Sequence, residues 1–253
     1  MKGDLVESLR ALISLGEVTA GTQSELKLVD EISTWFKDLN LEVRLDPIMV
    51  MSWRDFGARV EVRDITIHGL SAPHTLGGIV EGDLIHIPES GIEEHVWRNV
   101  DAKDKIVLVE LYHDPDEAKT TYLYALESGA RAVIFYDFKP NRLRRIVISS
   151  VWDYRFDPTP PPPIPAVYIK REDGLKILKM LRNKGTLKVT LESKVEVQHQ
   201  AIGYNVEVIL PSAKEDKEII LSGHHDHWLT GASDNLISIV ILYNVAKKLL
   251  KHA

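Results

Sequence analysis

An α/β fold is the class this sequence predicts, on three observations. Capped, amphipathic helical stretches open the chain. A long middle region of short apolar runs broken by Gly and Pro follows. Strand-then-helix patterning returns at the end. The middle region, residues 65–195, has the texture of a separate module, with residues 1–64 and 196–253 on either side of it.

In residues 5–15, Leu5, Leu9 and Leu12 recur at helical spacing with Val6 and Ile13 beside them, and Gly16 supplies the stop. Thr22-Gln23-Ser24-Glu25 has the form of a capping box, after which Leu28, Ile32, Trp35 or Phe36, and Leu39 make one apolar stripe. Residues 41–50 read as a strand. Within the module, residues 106–111 read as a strand, 117–128 as a helix stopped at Gly129, and 132–136 as a buried strand, which together make a βαβ unit. Pro158, Pro160 to Pro163 and Pro165 exclude helix and central strand, and predict extended backbone leading into a strand at 166–169. A helix at 172–181 ending near Gly185 follows, and Leu187, Val189 and Leu191 alternate as a half-buried strand. The last segment predicts strands at 205–210 and 218–222 with a polar turn between them, then a helix reaching about residue 251.

Composition narrows the function classes. The 253 residues contain no cysteine, so disulfides, thiolate nucleophiles and sulfur-ligated zinc are excluded, and any metal must sit on His, Asp or Glu. A net charge of -6 and a pI of 5.9 argue against nucleic acid as a partner. Residues 236–246, the longest near-apolar run, fall short of the roughly 18 a membrane span requires. Residues 1–4 lead into a helical pattern without the apolar core of a secretory signal, so a cytoplasmic location is the expectation.

The chemistry is concentrated in Ser222-Gly223-His224-His225-Asp226-His227-Trp228-Leu229-Thr230-Gly231-Ala232-Ser233-Asp234-Asn235. Three histidines and two aspartates lie where a strand ends and a helix begins, the edge at which α/β sheets place their sites. Imidazole and carboxylate are the donors zinc accepts when thiolate is absent. In His224-x-Asp226, strand alternation turns both side chains to one side, so the carboxylate can orient an imidazole that binds metal. Asp234, at the start of the final helix, is placed to bridge metal ions, although Asp234 or Ser233 can equally serve as a helix cap. His225 and His227 alternate with these residues and are expected to face solvent or to be hydrogen-bonded.

An apolar strand, then Gly-His-His-Asp-His-Trp, then Gly-Ala-Ser-Asp-Asn before a helix, resembles the first half of the di-zinc exopeptidase family of aminopeptidases and glutamate carboxypeptidase-like proteins. The resemblance implies that His224 is a zinc ligand, Asp226 the aspartate that orients it, and Asp234 the bridging carboxylate. Residues 65–195 are similar to the protease-associated domain that many members carry as an insertion. The similarity lies in Asp104-Lys105-Ile106-Val107-Leu108-Val109, Ser128-Gly129-Ala130-Arg131-Ala132-Val133 and Ile164-Pro165-Ala166-Val167-Tyr168-Ile169. The implied architecture is a partial phosphorylase/hydrolase-like zinc-peptidase lobe, three-layered around a mixed sheet, plus a β-rich protease-associated domain. In the family that domain often lines the substrate cleft, where Arg142, Arg144 and Arg145 would attract a peptide carboxylate by bidentate pairing.

Two departures from the family pattern shape the functional expectation. Leu236-Ile237-Ser238 stands where members usually carry small residues and glycine. The family's general-base Glu, a second Glu ligand, a later Asp and a distal His all follow the position of Asp234, and the 253 residues do not contain them. The module at 65–195 leaves 122 residues for the peptidase lobe, against roughly 200–250 for such α/β domains. Leu236, Ile237, Ile239, Val240, Ile241, Leu242 and Tyr243 leave the final helix no polar face in its first two turns, which predicts burial on all sides. The expectation is therefore the N-terminal portion of a zinc exopeptidase, truncated or split, whose two-zinc site is incomplete. It would hydrolyse peptides only with a complementary C-terminal half, and its apolar final helix would be covered by a second chain, a self-associated copy or the rest of a truncated chain. The alternative is a non-catalytic protease-associated module for binding or assembly, with a vestigial metal site.

Overall fold

A computed structural model describes residues 5–88, 91–111, 114–148, 163–210 and 218–251. Most of the proline cluster and the polar turn expected near 211–216 lie outside the described residues. The chain divides into two compact units, one comprising Met1–Ser52 with Gln198–Ala253 and the other Trp53–Val197. Two long strands, β1 (Glu42–Val62) and β7 (Lys188–Ile209), carry the chain from one unit to the other. The strand read at 41–50 is thus the first half of a longer one, and those read near 187–191 and at 205–210 are one continuous element.

The second unit is a mixed seven-stranded barrel in the order β1-β2-β6-β5-β4-β3-β7. Its further strands are β2 (Ile65–Ser71), β3 (Gly78–Ile87), β4 (Ile106–Leu111), β5 (Ala132–Asp137) and β6 (Ala166–Ile169). The run β3-β4-β5-β6 is parallel, while the β1-β2, β2-β6 and β3-β7 pairings are antiparallel. Among its described residues the helices are α3 (Glu94–Arg98), α4 (Pro115–Glu127) and α5 (Arg171–Lys184). Parallel strands need crossovers, and α4 supplies the one between β4 and β5. The near-continuous apolar runs of β4 and β5 follow from burial on both faces. Ile106, Leu108, Ala132 and Ile134 join a core with Ile177 and Leu178 of α5, while Val107, Val109, Val133 and Phe135 join a second core with Ala118 and Tyr122 of α4.

The first unit packs α1 (Leu5–Ile13), α2 (Gln23–Lys37) and α6 (Ile237–Leu249) around Leu12, Leu28, Ile32, Trp35, Phe36, Leu236, Ile239, Val240 and Tyr243. Tyr243 meets Trp35 at 5.4 Å and Phe36 edge-on at 5.6 Å between ring centroids, aromatic separations that add to area burial. Within this unit α6 buries one face, and Ile241 on another is half exposed.

The strand expected at 218–222 is not formed. Ile219 and Ile220 are 88% and 83% exposed, and Leu221 is also exposed. A run of β-branched residues carries strand preference, but a strand exists only against a neighbour that takes up its backbone N–H and C=O groups. Among the described residues none pairs with 218–222. The capping box at α2 is also modified. Thr22 Oγ1 accepts from the Glu25 N–H at 3.3 Å as expected, whereas the Glu25 carboxylate accepts from the Gly21 N–H at 2.6 Å.

Candidate functional site

Residues 223–236 lead from the unpaired apolar segment into α6. Backbone alternation divides the histidine-rich stretch into two sets. His224 and Asp226 have half-exposed side chains, while His225 is largely covered and His227 is buried. His227 N–H donates to Val18 O at 2.7 Å, and Val18 N–H donates back to His227 O at 3.2 Å. The His227 ring nitrogens lie 2.9 Å from Gly16 O and 3.0 Å from His225 O. Leu229 N–H donates to the Glu17 carboxylate at 2.9 Å. The turn that follows brings Gly231, at φ 59°, against the His227 ring so closely that a Cβ there would fall inside it. Both the positive φ and the close approach call for glycine.

The structure brings His224, Asp226 and Asp234 together. His224 Nδ1 faces Asp226, 3.0 Å from its carbonyl oxygen and 3.2 Å from Oδ1, and His224 Nε2 lies 3.1 Å from Asp234 Oδ1. Asp234 sits in an irregular turn, Ala232–Leu236, where its own φ of −141° is not helical. Its side chain is 83% exposed, and no side-chain cap bond forms at the start of α6. Leu236 turns into the core with no exposed surface, and Ser238 donates to the Asn235 side-chain oxygen while lying against Gly223.

Whether this set suits a metal can be read from its donors. Two ligands on a tetrahedral zinc, each at roughly 2.0–2.2 Å, stand roughly 3.4 Å apart. Nε2 of His224 and Oδ1 of Asp234 are close to that spacing. A carboxylate on Nδ1 fixes the tautomer that leaves Nε2 as the donor atom. The pair fits as two ligands of one ion. Among the described residues no group of three or more His, Asp or Glu side chains is gathered to hold a metal ion without further donors.

Arg142, Arg144 and Arg145 lie in the second unit, where each has an internal counter-charge. Asp137 Oδ2 receives Arg144 Nε at 2.6 Å and Arg142 Nε at 3.2 Å, and Arg144 also donates to Leu111 O. Arg145 pairs with Asp55 at 2.5 Å, with side chains 4% and 1% exposed, and its guanidinium lies over Trp53. Burial pushes the Asp137 carboxyl up, but hydrogen bonds from the Lys139 N–H and from Arg144 and Arg142 outweigh it and hold the group below the usual carboxylate range. A depressed folded pKa contributes stability above the unfolded value of about 3.9, lost as pH falls through the folded one. Urea midpoints of the second unit should therefore fall steeply below about pH 4, and more shallowly in Asp137→Asn. Equal acid limbs in both proteins would show that Asp137 carries no acid-labile stability.

Glu25, Gly231 and the Gly16–Val18 backbone contact the histidine-rich stretch, and no sequence spacing marks them as its neighbours. Glu25 is legible as the third helical residue of a capped start, but its burial and its contact with His225, Nε2 to Oε1 at 3.3 Å, are not.

Residues 80–177 match the family model of the PA domain, within the second unit. No curated protein sequence matches the chain. Solved structures share its fold. An aminopeptidase from an Aneurinibacillus strain is 20% identical, with 97% of this chain and 58% of that one aligned at a TM-score of 0.64. A zinc aminopeptidase from Bacillus subtilis is also 20% identical, covering 96% and 56% at 0.70. A peptidase M28 precursor from Shewanella amazonensis is 19% identical, covering 96% and 58% at 0.69. The chain therefore spans less than two thirds of the length of these proteins. It has a mixed α/β fold like that of these proteins, and the PA-domain match falls within its second unit. No helix among the described residues is long and apolar enough to cross a membrane.

Proposed function

We propose that this chain is part of a zinc-dependent exopeptidase of the aminopeptidase kind, in which residues 223–236 provide the first metal ligands and further polypeptide provides the rest. The observation that carries the reading is the His224 imidazole held between two carboxylates, with Nδ1 on Asp226 and Nε2 3.1 Å from Asp234. His224 Nε2 and Asp234 Oδ1 would hold the metal, and Asp226 keeps the imidazole in the donor tautomer. Zinc bound there supplies polarisation of a peptide carbonyl and a lowered pKa for water. The exposed flanks of His224 and Asp234 leave that side open to a peptide substrate.

A catalytic zinc takes about three protein ligands, and a general base contributes about 10²–10⁴-fold in rate. The chain by itself is accordingly proposed to have little or no peptidase activity. Two observations support further polypeptide against this segment, the exposed Ile219-Ile220-Leu221 run and the half-exposed Ile241 on α6.

The test is metal stoichiometry and hydrolysis of an aminoacyl arylamide, measured on the chain alone and with a completing polypeptide. Weak zinc uptake alone, and turnover only on completion, are expected. Full di-zinc occupancy with turnover in the lone chain would overturn the incompleteness. Absence of zinc uptake under both conditions would leave the PA-domain binding module as the better reading.

A further inference from the structure

We propose that Glu25 is a positioning residue for the metal-ligand segment, holding His225 inward so that His224 and Asp226 face outward. This rests on the reading of His224 and Asp234 as zinc ligands. A Glu at the third position of a capped helix ordinarily reaches back to the cap N–H at the surface. Here its side chain is 3% exposed. Burying a carboxylate is costly unless it is fully hydrogen-bonded, and Glu25 gathers its donors from three separate segments. Oε2 accepts from the Gly21 N–H at 2.6 Å. Oε1 accepts from the Tyr204 N–H of β7 at 3.2 Å and lies 3.3 Å from His225 Nε2. A Cβ at residue 203 would come within 3.2 Å of Oε1, so Gly203 leaves the room in which the carboxylate sits. Burial pushes this carboxyl up, but the bonds from His225, Gly21 and Tyr204 outweigh it, and Glu25 is ionised at neutral pH.

The position of this contact along the chain gives it its consequence. On the C-terminal side the stretch is pinned at His227 by Gly16 and Val18. On the N-terminal side, residues 218–222 join no strand among those described. The Glu25–His225 contact is thus the tie next to His224. Because side chains alternate, seating His225 inward sets which way His224 and Asp226 face.

The experiment uses the full chain with Glu25→Gln, His225→Phe and His225→Gln. Zinc affinity is read by chelator competition, unfolding by circular dichroism, and backbone order by ¹⁵N relaxation without metal. Glu25→Gln and His225→Phe are expected to weaken zinc binding by about 10–100-fold, the range for residues that orient ligands, at temperatures where both remain folded. Their combination should cost no more than either alone, because both remove one contact. His225→Gln keeps a donor facing Oε1 while lacking an imidazole, and should retain most of the affinity. Order parameters at residues 223–226 should drop from about 0.85 to below about 0.6 in Glu25→Gln. Unchanged order there overturns the positioning role whether or not zinc binds. Unchanged zinc affinity in a folded Glu25→Gln overturns it too. Failure of the wild-type chain to take zinc, with the order change present, would instead count against His224 and Asp234 as ligands and leave the positioning of the segment standing.

Discussion

Replacing His224 with Ala is expected to reduce zinc affinity, and hydrolysis by the completed enzyme, by on the order of 10²–10³-fold. Zinc sites with four ligands bind with about 10–16 kcal/mol, or roughly 3–4 kcal/mol per ligand, and each 1.36 kcal/mol is tenfold. Asp234→Ala should have an effect of the same size, because it removes the other donor of the 3.1 Å pair. Asp226→Asn keeps the shape but weakens the hydrogen bond that orients the ring, and a smaller loss of about 10–100-fold is expected. The ordering matters as much as the size. Chelator competition that ranked Asp226 above His224 would mean that Asp226 is itself a ligand and the assignment of roles is reversed. None of the three substitutions should disturb unfolding of the second unit, whose cores contain none of these residues.

Arg145→Ala is expected to destabilise the second unit by about 3–5 kcal/mol, the cost of leaving a buried charge without its partner. Arg145 and Asp55 are almost wholly enclosed. Asp55 also accepts from the Gly57 N–H at 2.8 Å and the Ser71 N–H at 3.2 Å, so its carboxylate remains fixed in place when the guanidinium is lost. For a domain of this size the midpoint should fall by roughly 10 °C. Adding Asp55→Asn should recover part of that loss by removing the stranded charge, with the remainder reflecting weaker bonds to the two N–H groups. An Arg145→Ala protein that unfolds at the wild-type midpoint would release Arg145 for the substrate role read from sequence. Arg142 and Arg144, which share Asp137, are more exposed than Arg145.

Much of the fold was legible because local pattern and tertiary use agree. The strands at 106–111 and 166–169, and the helix stop at Gly129, are read from apolar runs and a glycine that needs φ of 78°. Their burial on two faces explains why no polar alternation marks β4 or β6. The strand expected at 218–222 failed for the converse reason, since its residues have the preference but lack a neighbour. The proximity of His224, Asp226 and Asp234 could be expected because they lie within eleven residues of one extended stretch and the turn after it. That of Glu25 could not, because the residues that make it matter, Gly21, Tyr204 and His225, come from three separated segments.

What the sequence alone determined is the mixed α/β class and the grouping of His, Asp and Asn donors into one short stretch before the last helix, with any metal confined to His, Asp or Glu by the absence of cysteine. The tertiary structure decided how the charges are used. It placed Arg145 inside the protein as the counter-ion of Asp55, and buried a helix-capping glutamate against His225. The physical reason is that ionic and hydrogen-bond partners are selected by burial and distance, and a charged side chain looks the same in sequence whether water or a buried carboxylate receives it.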